Sequence, residues 1–322
     1  MKKNFCAISI IVLLFALFPF VSFAQEKFPA KPIFINVGQG AGGSTDIIAR
    51  AFAPFVQNEL KVPVIVQNQP GAAGDVANNY IWKAKPDGYN LLMTVIPSYT
   101  LRELIKKQIF KTLDMSFIYG IAGGDFNAIS VPYNSPIKNF NDLKREATSK
   151  ALSAGATTQG SNSWYAYILL REATGIKFKY VPYESGTEAA TAAGGGHVDL
   201  AITSIISAVQ PAQNKLIRLI AMFGEKRDPM FPDVPTMIDL GYKDVHFTTR
   251  QGLVGPPGMD KEVMTITANA IAKAIKGPKF KEIADRQGFT IDAMPGPEFR
   301  KWTGEIFENA RKVLTKAGEV KQ

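Results

Sequence analysis

The sequence predicts an α/β protein of two domains, and three observations carry that reading. Short apolar runs alternate with segments of helical period along most of the chain. The runs are apolar at successive positions, as in strands covered by helices on both faces, so each domain is expected to be a mostly parallel sheet flanked by helices. The chain is also long: of 322 residues about 24 read as a leader, and the remaining 298 (322 − 24) exceed what one core usually organises.

The leader comes first. Lys2 and Lys3 precede an apolar run from Ile8 to Val21, and Ser22-Phe23-Ala24 supplies small residues at the −3 and −1 positions. This is the pattern of a secretory signal peptide (1–24), cut between Ala24 and Gln25. The run is broken by Pro19 and is shorter than the roughly 20 residues a membrane span needs. Cys6, the single cysteine, lies before the run, so the mature chain has no thiol, disulfide or cysteine-based metal site. Removing Lys2 and Lys3 lowers the formal charge from +9 to +7. The basic residues are dispersed, as in "KGPKFKEIADR", with no arginine-rich arm, which argues for solvated helix faces and against nucleic acid; the mild positive field favours capture of small anions.

"PIFINV" is the first strand, and Thr45 to Glu59 a helix with Ile47, Ile48, Ala51, Phe52, Phe55 and Val56 at helical spacing. "VPVIVQN", a helix through Ala84 and "NLLMTV" follow, the last reached through the turn "KPDGY". Then come "FNAISVP", the helix "NFNDLKREAT", "ALSAG", a helix from about Ser161 to Thr174, and "KFKYVPY". "HVDLAIT", "IRLIAMF" and "RQGLVGPP" are further strands, and the chain ends in a long amphipathic stretch from Lys261.

Gly38, Gly40 and Gly43 satisfy G-x-G-x-x-G, but a dinucleotide fold needs an acidic residue at the end of the second strand, where this chain has Gln67 and Asn68. A phosphate loop needs lysine after the last glycine, where Ser44 stands. What remains is a glycine-rich turn feeding a helix N-terminus, which is an anion cradle and no sign of an enzyme. His197 and His246 form no metal or catalytic pattern, no G-x-S-x-G elbow is present, and Asp46, Asp75 and Asp199 read as structural caps. No catalytic residue, cofactor or metal is therefore expected.

The segments "KPIFINVGQGAGGSTDIIAR", "NQPGAAGD", "KPDGYNLL", "FKYVPYESG", "GGGHVDLAI", "FPDVPTMIDLGY" and "GLVGPPG" stand in an order that resembles one family. They look like the extracytoplasmic solute receptors of tripartite tricarboxylate transporters, the Bug-type periplasmic binding proteins. The resemblance, from about Phe28 to the C-terminus, implies a two-domain Venus-flytrap receptor without catalysis. It implies domain 1 at 25–124 plus 247–322 and domain 2 at 125–246, with a small organic carboxylate held in the cleft between them. The first-domain loop maps onto Gly42, Gly43, Ser44, Thr45 and Asp46, with Ser98 counted beside it; the second maps onto Ser153, Ala154, Gly155, Gly160, Ser161 and Asn162. Departures from the family pattern are Ala41, a second loop about three residues longer, Trp164, and Thr203 and Arg250 in place of an acid and an aromatic. Thr203 and Ser204 are candidate hydrogen-bonding partners. If Arg250 faces the cleft, its guanidinium would grip a second acidic group and the ligand would be a dicarboxylate. The expected protein is a monomeric periplasmic receptor that delivers its ligand to cognate membrane permease subunits. The alternative is an exported α/β hydrolase or lyase acting on a small organic acid.

Overall fold

Three parallel strands begin the chain's first sheet: β1 (Ile33–Val37), β2 (Val64–Asn68) and β3 (Asn90–Ile96), with Ile35 opposite both Val66 and Leu91. The structure, a computed structural model, describes residues 27–320, so the leader lies outside the described residues. β10 (Thr249–Gly255) inserts antiparallel between β3 and β4 (Ser116–Asp125), and β11 (Thr290–Pro295) closes the edge. The order is β11-β4-β10-β3-β1-β2. The second sheet holds β5 (Asn127–Pro132), β6 (Ser153–Thr157), β7 (Lys179–Tyr183), β8 (Leu200–Ser204) and β9 (Ile217–Met222) in the order β7-β6-β8-β5-β9, with β5 antiparallel to both neighbours. Most strands of each sheet point one way, but both sheets are mixed. The reversed β10 and β5 sit beside the two passages of the chain between sheets.

Both faces of each sheet are covered. Leu91 and Met93 of β3 pack with Phe52 of α1 (Ser44–Leu60), Ile271 of α8 (Lys261–Ala274) and Phe280 of α9 (Pro278–Gln287). Leu92 and Ile96, on the opposite pleat, pack with Ile81 of α2 (Asp75–Lys83), Tyr99 of α3 (Ser98–Ile105) and Phe299 of α10 (Gly296–Lys316). This alternation is why the strand reads as apolar throughout. Phe52, Phe280 and Phe299 are fully buried, each worth about 1.5–3 kcal/mol over its exposed state. In the second sheet Ile129 and Val131 meet Trp164 and Ile168 of α5 (Asn162–Thr174). Ala128 faces the other way, toward Ala190 of α6 (Gly186–Gly194) and Ala208 of α7 (Ile205–Gln213). Between β5 and β6 runs α4 (Phe140–Ser149), capped by Asn139, whose side chain accepts from the Asp142 N–H.

The last helix belongs to both halves. Phe299 lies in the core of the first sheet, while Ala310 and Leu314, further along α10, lie in the core of the second. Just beyond it, Glu319 pairs with Arg171 of α5 at 2.9 Å.

Three elements differ from the expectation. α3 follows the third strand directly, β4 precedes the first passage, and the stretch from Lys261 is three helices with β11 between them. Gly288 ends α9 in the left-handed region at φ 76°, its N–H bonded to the Ala284 carbonyl, and this stop lets "TIDAMP" run on as an edge strand.

Candidate ligand-binding site

The carboxyl ends of β1, β2 and β3 face those of β6, β7 and β8, and a cavity of about 50 Å³ lies between them. Such strand ends are where open α/β sheets place ligands, because the loops leaving them feed helix N-termini. A second chamber of about 20 Å³ adjoins the first through the shared walls Gln39, Ser98, Thr157 and Ser161.

The small chamber is built from helix starts. Ser44 opens α1 and Ser98 opens α3 from one side; Asn162 opens α5 and Gly186 opens α6 from the other, and Ser204 caps α7. Five helix N-termini, from both sheets, thus border one small space, and their positive dipole ends make it favourable for an anion. Several capping hydroxyls are already engaged: Ser161 accepts from the Trp164 N–H at 3.1 Å, and Ser204 from the Ser207 N–H at 3.2 Å. The N-cap residues of α1 and α3, Gly43 and Pro97, supply no side-chain cap, and in α1 the Thr45 N–H donates instead to Gln39 Oε1 at 3.2 Å. Several wall residues also carry buried polar atoms without a protein partner, among them Thr45 Oγ1, Thr94 Oγ1, Tyr99 Oη and Asn127 Oδ1.

The cleft is shut by bonds between its two walls. The Gly40 N–H donates to the Glu184 carbonyl at 3.2 Å, and Thr187 Oγ1 donates to the Gly42 carbonyl at 2.5 Å. On the other flank Ser98 Oγ donates to the Gly160 carbonyl at 3.4 Å, and an Arg102 nitrogen to the Gln159 carbonyl at 2.6 Å. Arg102 is itself fixed by Asp75, with bonds of 2.8 and 2.5 Å, and both side chains are buried. Gly160 has to be glycine: at φ 85° an added Cβ would lie 2.6 Å from Ile105 and 2.8 Å from Arg102.

A sequence model described as "Tripartite tricarboxylate transporter family receptor" matches residues 48–318. The chain belongs to that receptor family. It is 33% identical over 301 residues to the UPF0065 protein of the gbd 5′ region of Cupriavidus necator, covering 92% of this chain and 90% of the relative. The solved structure of the periplasmic binding protein BugD superposes with a TM-score of 0.86 at 25% identity, over 92% of this chain and all of that one. MatC from Rhodopseudomonas palustris, solved with bound malate, shares the fold with a TM-score of 0.83 at 21% identity, over 89% of this chain and 100% of its own. The protein is accordingly a solute-binding receptor with the two-domain fold of periplasmic binding proteins.

Within this receptor the sequence-predicted residues divide. Ser44, Thr45, Ser98, Ser161, Asn162 and Ser204 line the two chambers. Gly42 and Gly43 shape the turn before α1, Gly42 at φ 77°. Asp46 points away: its carboxylate accepts from the Gly42 N–H, from Arg50 and from Asn68, so it braces the turn. Ser153, Ala154 and Gly155 form strand β6 and no loop; Ser153, at its far end, bonds Asp199. The ligand-side loop runs instead from Thr157 to Ser161. Thr203 is fully buried in β8 and absent from both walls.

Arg250 requires the largest correction. Its guanidinium pairs with Asp292 of β11, with Nε at 2.7 Å, and lies 4.4 Å over the Trp302 ring. It borders neither chamber, so the dicarboxylate expected from it loses its support. Trp164 is a core residue. Gln39, Asn78, Tyr99, Asn127 and Glu184 line the chambers without having been singled out; only their places just beyond strand ends or early in helices could have marked them.

Proposed function

We propose that this receptor captures a small organic carboxylate in the interdomain cleft, releases it unchanged, and in its shut form is recognised by membrane permease subunits. The carrying observation is the convergence of five helix N-termini from two domains on one chamber. An amide-lined anion site of that kind stabilises a carboxylate without a cation that would hold it too tightly for release. Family membership supports the permease as partner, and the malate found in MatC supports a carboxylate as ligand.

The reading includes a cleaved leader, a periplasmic location and a monomeric state. Among the described residues no helix is long and apolar enough to cross a membrane. It also divides the chain at 25–124 plus 247–322 and 125–246; the passage from β4 to β5 at Phe126 and the return before Thr249 support those limits. Membership of a receptor family lends no support to the hydrolase or lyase alternative.

Calorimetry and thermal shift with a panel of organic acids test the proposal. A receptor at 100 times its dissociation constant gains about 2.7 kcal/mol. Mass spectrometry should recover the bound acid unaltered. Stabilisation by neutral sugars or amines alone, or conversion of the acid, would overturn the reading.

A further inference from the structure

Two chambers of different chemistry open into each other. The small one is ringed by helix starts, whereas the larger one mixes Leu92, Met93, Val95 and Tyr99 with uncharged polar residues such as Asn78, Thr94 and Thr158. Across both walls there is one charged side chain, and it is negative: Glu184. Arginines on the bordering elements are already committed. Arg102 holds Asp75 and the Gln159 carbonyl, Arg250 holds Asp292, and Arg50 holds Asp46 and Asn68.

A second carboxylate in the larger chamber would therefore lie between the domains with no cation in the wall to pair with it. Burying an unpaired carboxylate costs far more than burying a paired or neutral group. A neutral polar group faces the opposite situation. Thr94 and Tyr99 are wall residues of this chamber, each about 4% exposed, and their buried hydroxyls have no protein partner. Buried hydroxyls of that kind gain from a partner that a ligand supplies.

We infer that the ligand carries a single carboxylate and an uncharged tail bearing a hydrogen-bonding group such as a hydroxyl or keto oxygen. The carboxylate occupies the chamber of helix N-termini; the tail lies along Leu92, Met93 and Val95, with its polar group at Thr94 and Tyr99. This assignment rests on the carboxylate-receptor reading above, and it narrows that reading by ligand class.

The test is a thermal-shift and calorimetric comparison of matched acids on linear, branched and aromatic skeletons. Each skeleton is presented as the plain monocarboxylate, its hydroxy or keto acid, its amino acid and its dicarboxylate. The hydroxy or keto acid of the preferred skeleton should bind more tightly than the plain acid, with the dicarboxylate at least tenfold weaker. A dicarboxylate binding as tightly would overturn the single-carboxylate inference while leaving the receptor reading intact, and an amino acid binding tightest would overturn the uncharged tail. No stabilisation by any acid would instead remove the carboxylate reading itself, and this inference with it. Thr94→Val and Tyr99→Phe supply an independent measurement on folded protein. Each should weaken the hydroxylated acid about tenfold more than the plain acid, and equal losses would take the tail away from these two hydroxyls.

Discussion

Asp125 closes β4 just before the chain passes to the second sheet, and it pairs across the ladder with Thr249, where the chain returns. Burial pushes its carboxyl up to about 7; amides of Ile206, Phe126 and Ile205 pull it down, and Asp228 adds repulsion. A raised carboxyl pKa means that the folded protein keeps a proton which the unfolded chain gives up near pH 4. The contribution of Asp125 to stability is therefore greatest below that value, falls as the pH rises toward about 7, and then levels. From 3.8 to about 7 is roughly three units, and at 1.36 kcal/mol per unit the cost reaches at most about 4 kcal/mol. Asp125→Asn is close in shape and cannot ionise. Urea unfolding of both proteins at several pH values from 4 to 8 measures the difference, which should grow in favour of the variant as the pH rises. A difference that stays constant over that range would refute a protonated Asp125.

Gly43→Val should weaken ligand binding more than tenfold. At φ −70° the backbone tolerates valine, but its Cβ would sit 2.7 Å from Gln39 Oε1 and push this wall residue inward; calorimetry on folded variant decides it. Arg102→Met leaves the buried Asp75 with only the Gln108 amide and the exposed Lys106, 4.0 Å away, and should cost about 3 kcal/mol in urea unfolding, most of it regained on adding Asp75→Asn. Arg250→Gln should lower Tm through the lost Asp292 and Trp302 contacts while affinity for mono- and dicarboxylates alike stays at the wild-type value; a selective loss for dicarboxylates would return Arg250 to the site.

The strands and the first glycine turn were legible because their signals are local: apolar runs, turn residues, and glycines before a helix. β6 was harder. The apolar pattern puts "ALSAG" among the strands while the family resemblance puts Ser153, Ala154 and Gly155 in the ligand loop, and the burial of Ala154 and Ala156 in the second core sides with the strand. Arg250 was misplaced because its partner, Asp292, is 42 residues away on a strand hidden in a stretch that reads as helical. Arg102 and Glu184 escaped notice for a related reason. A charge becomes a latch or a chamber wall through what the opposite domain brings to it, and no spacing within one segment records that.

The helix shared by the two cores constrains how this cleft opens. A clam on a two-strand hinge could gape freely, whereas α10 ties its far edge as well, with Phe299 anchored in one domain and Leu314 and the Glu319–Arg171 pair in the other. At 21 residues and 1.5 Å each it is a strut of about 32 Å. Ligand release that leaves both cores intact must keep both ends of this strut seated, so Phe299 and Leu314 hold the two domains within one helix length of each other while the Gly40–Glu184 and Gly42–Thr187 bonds break.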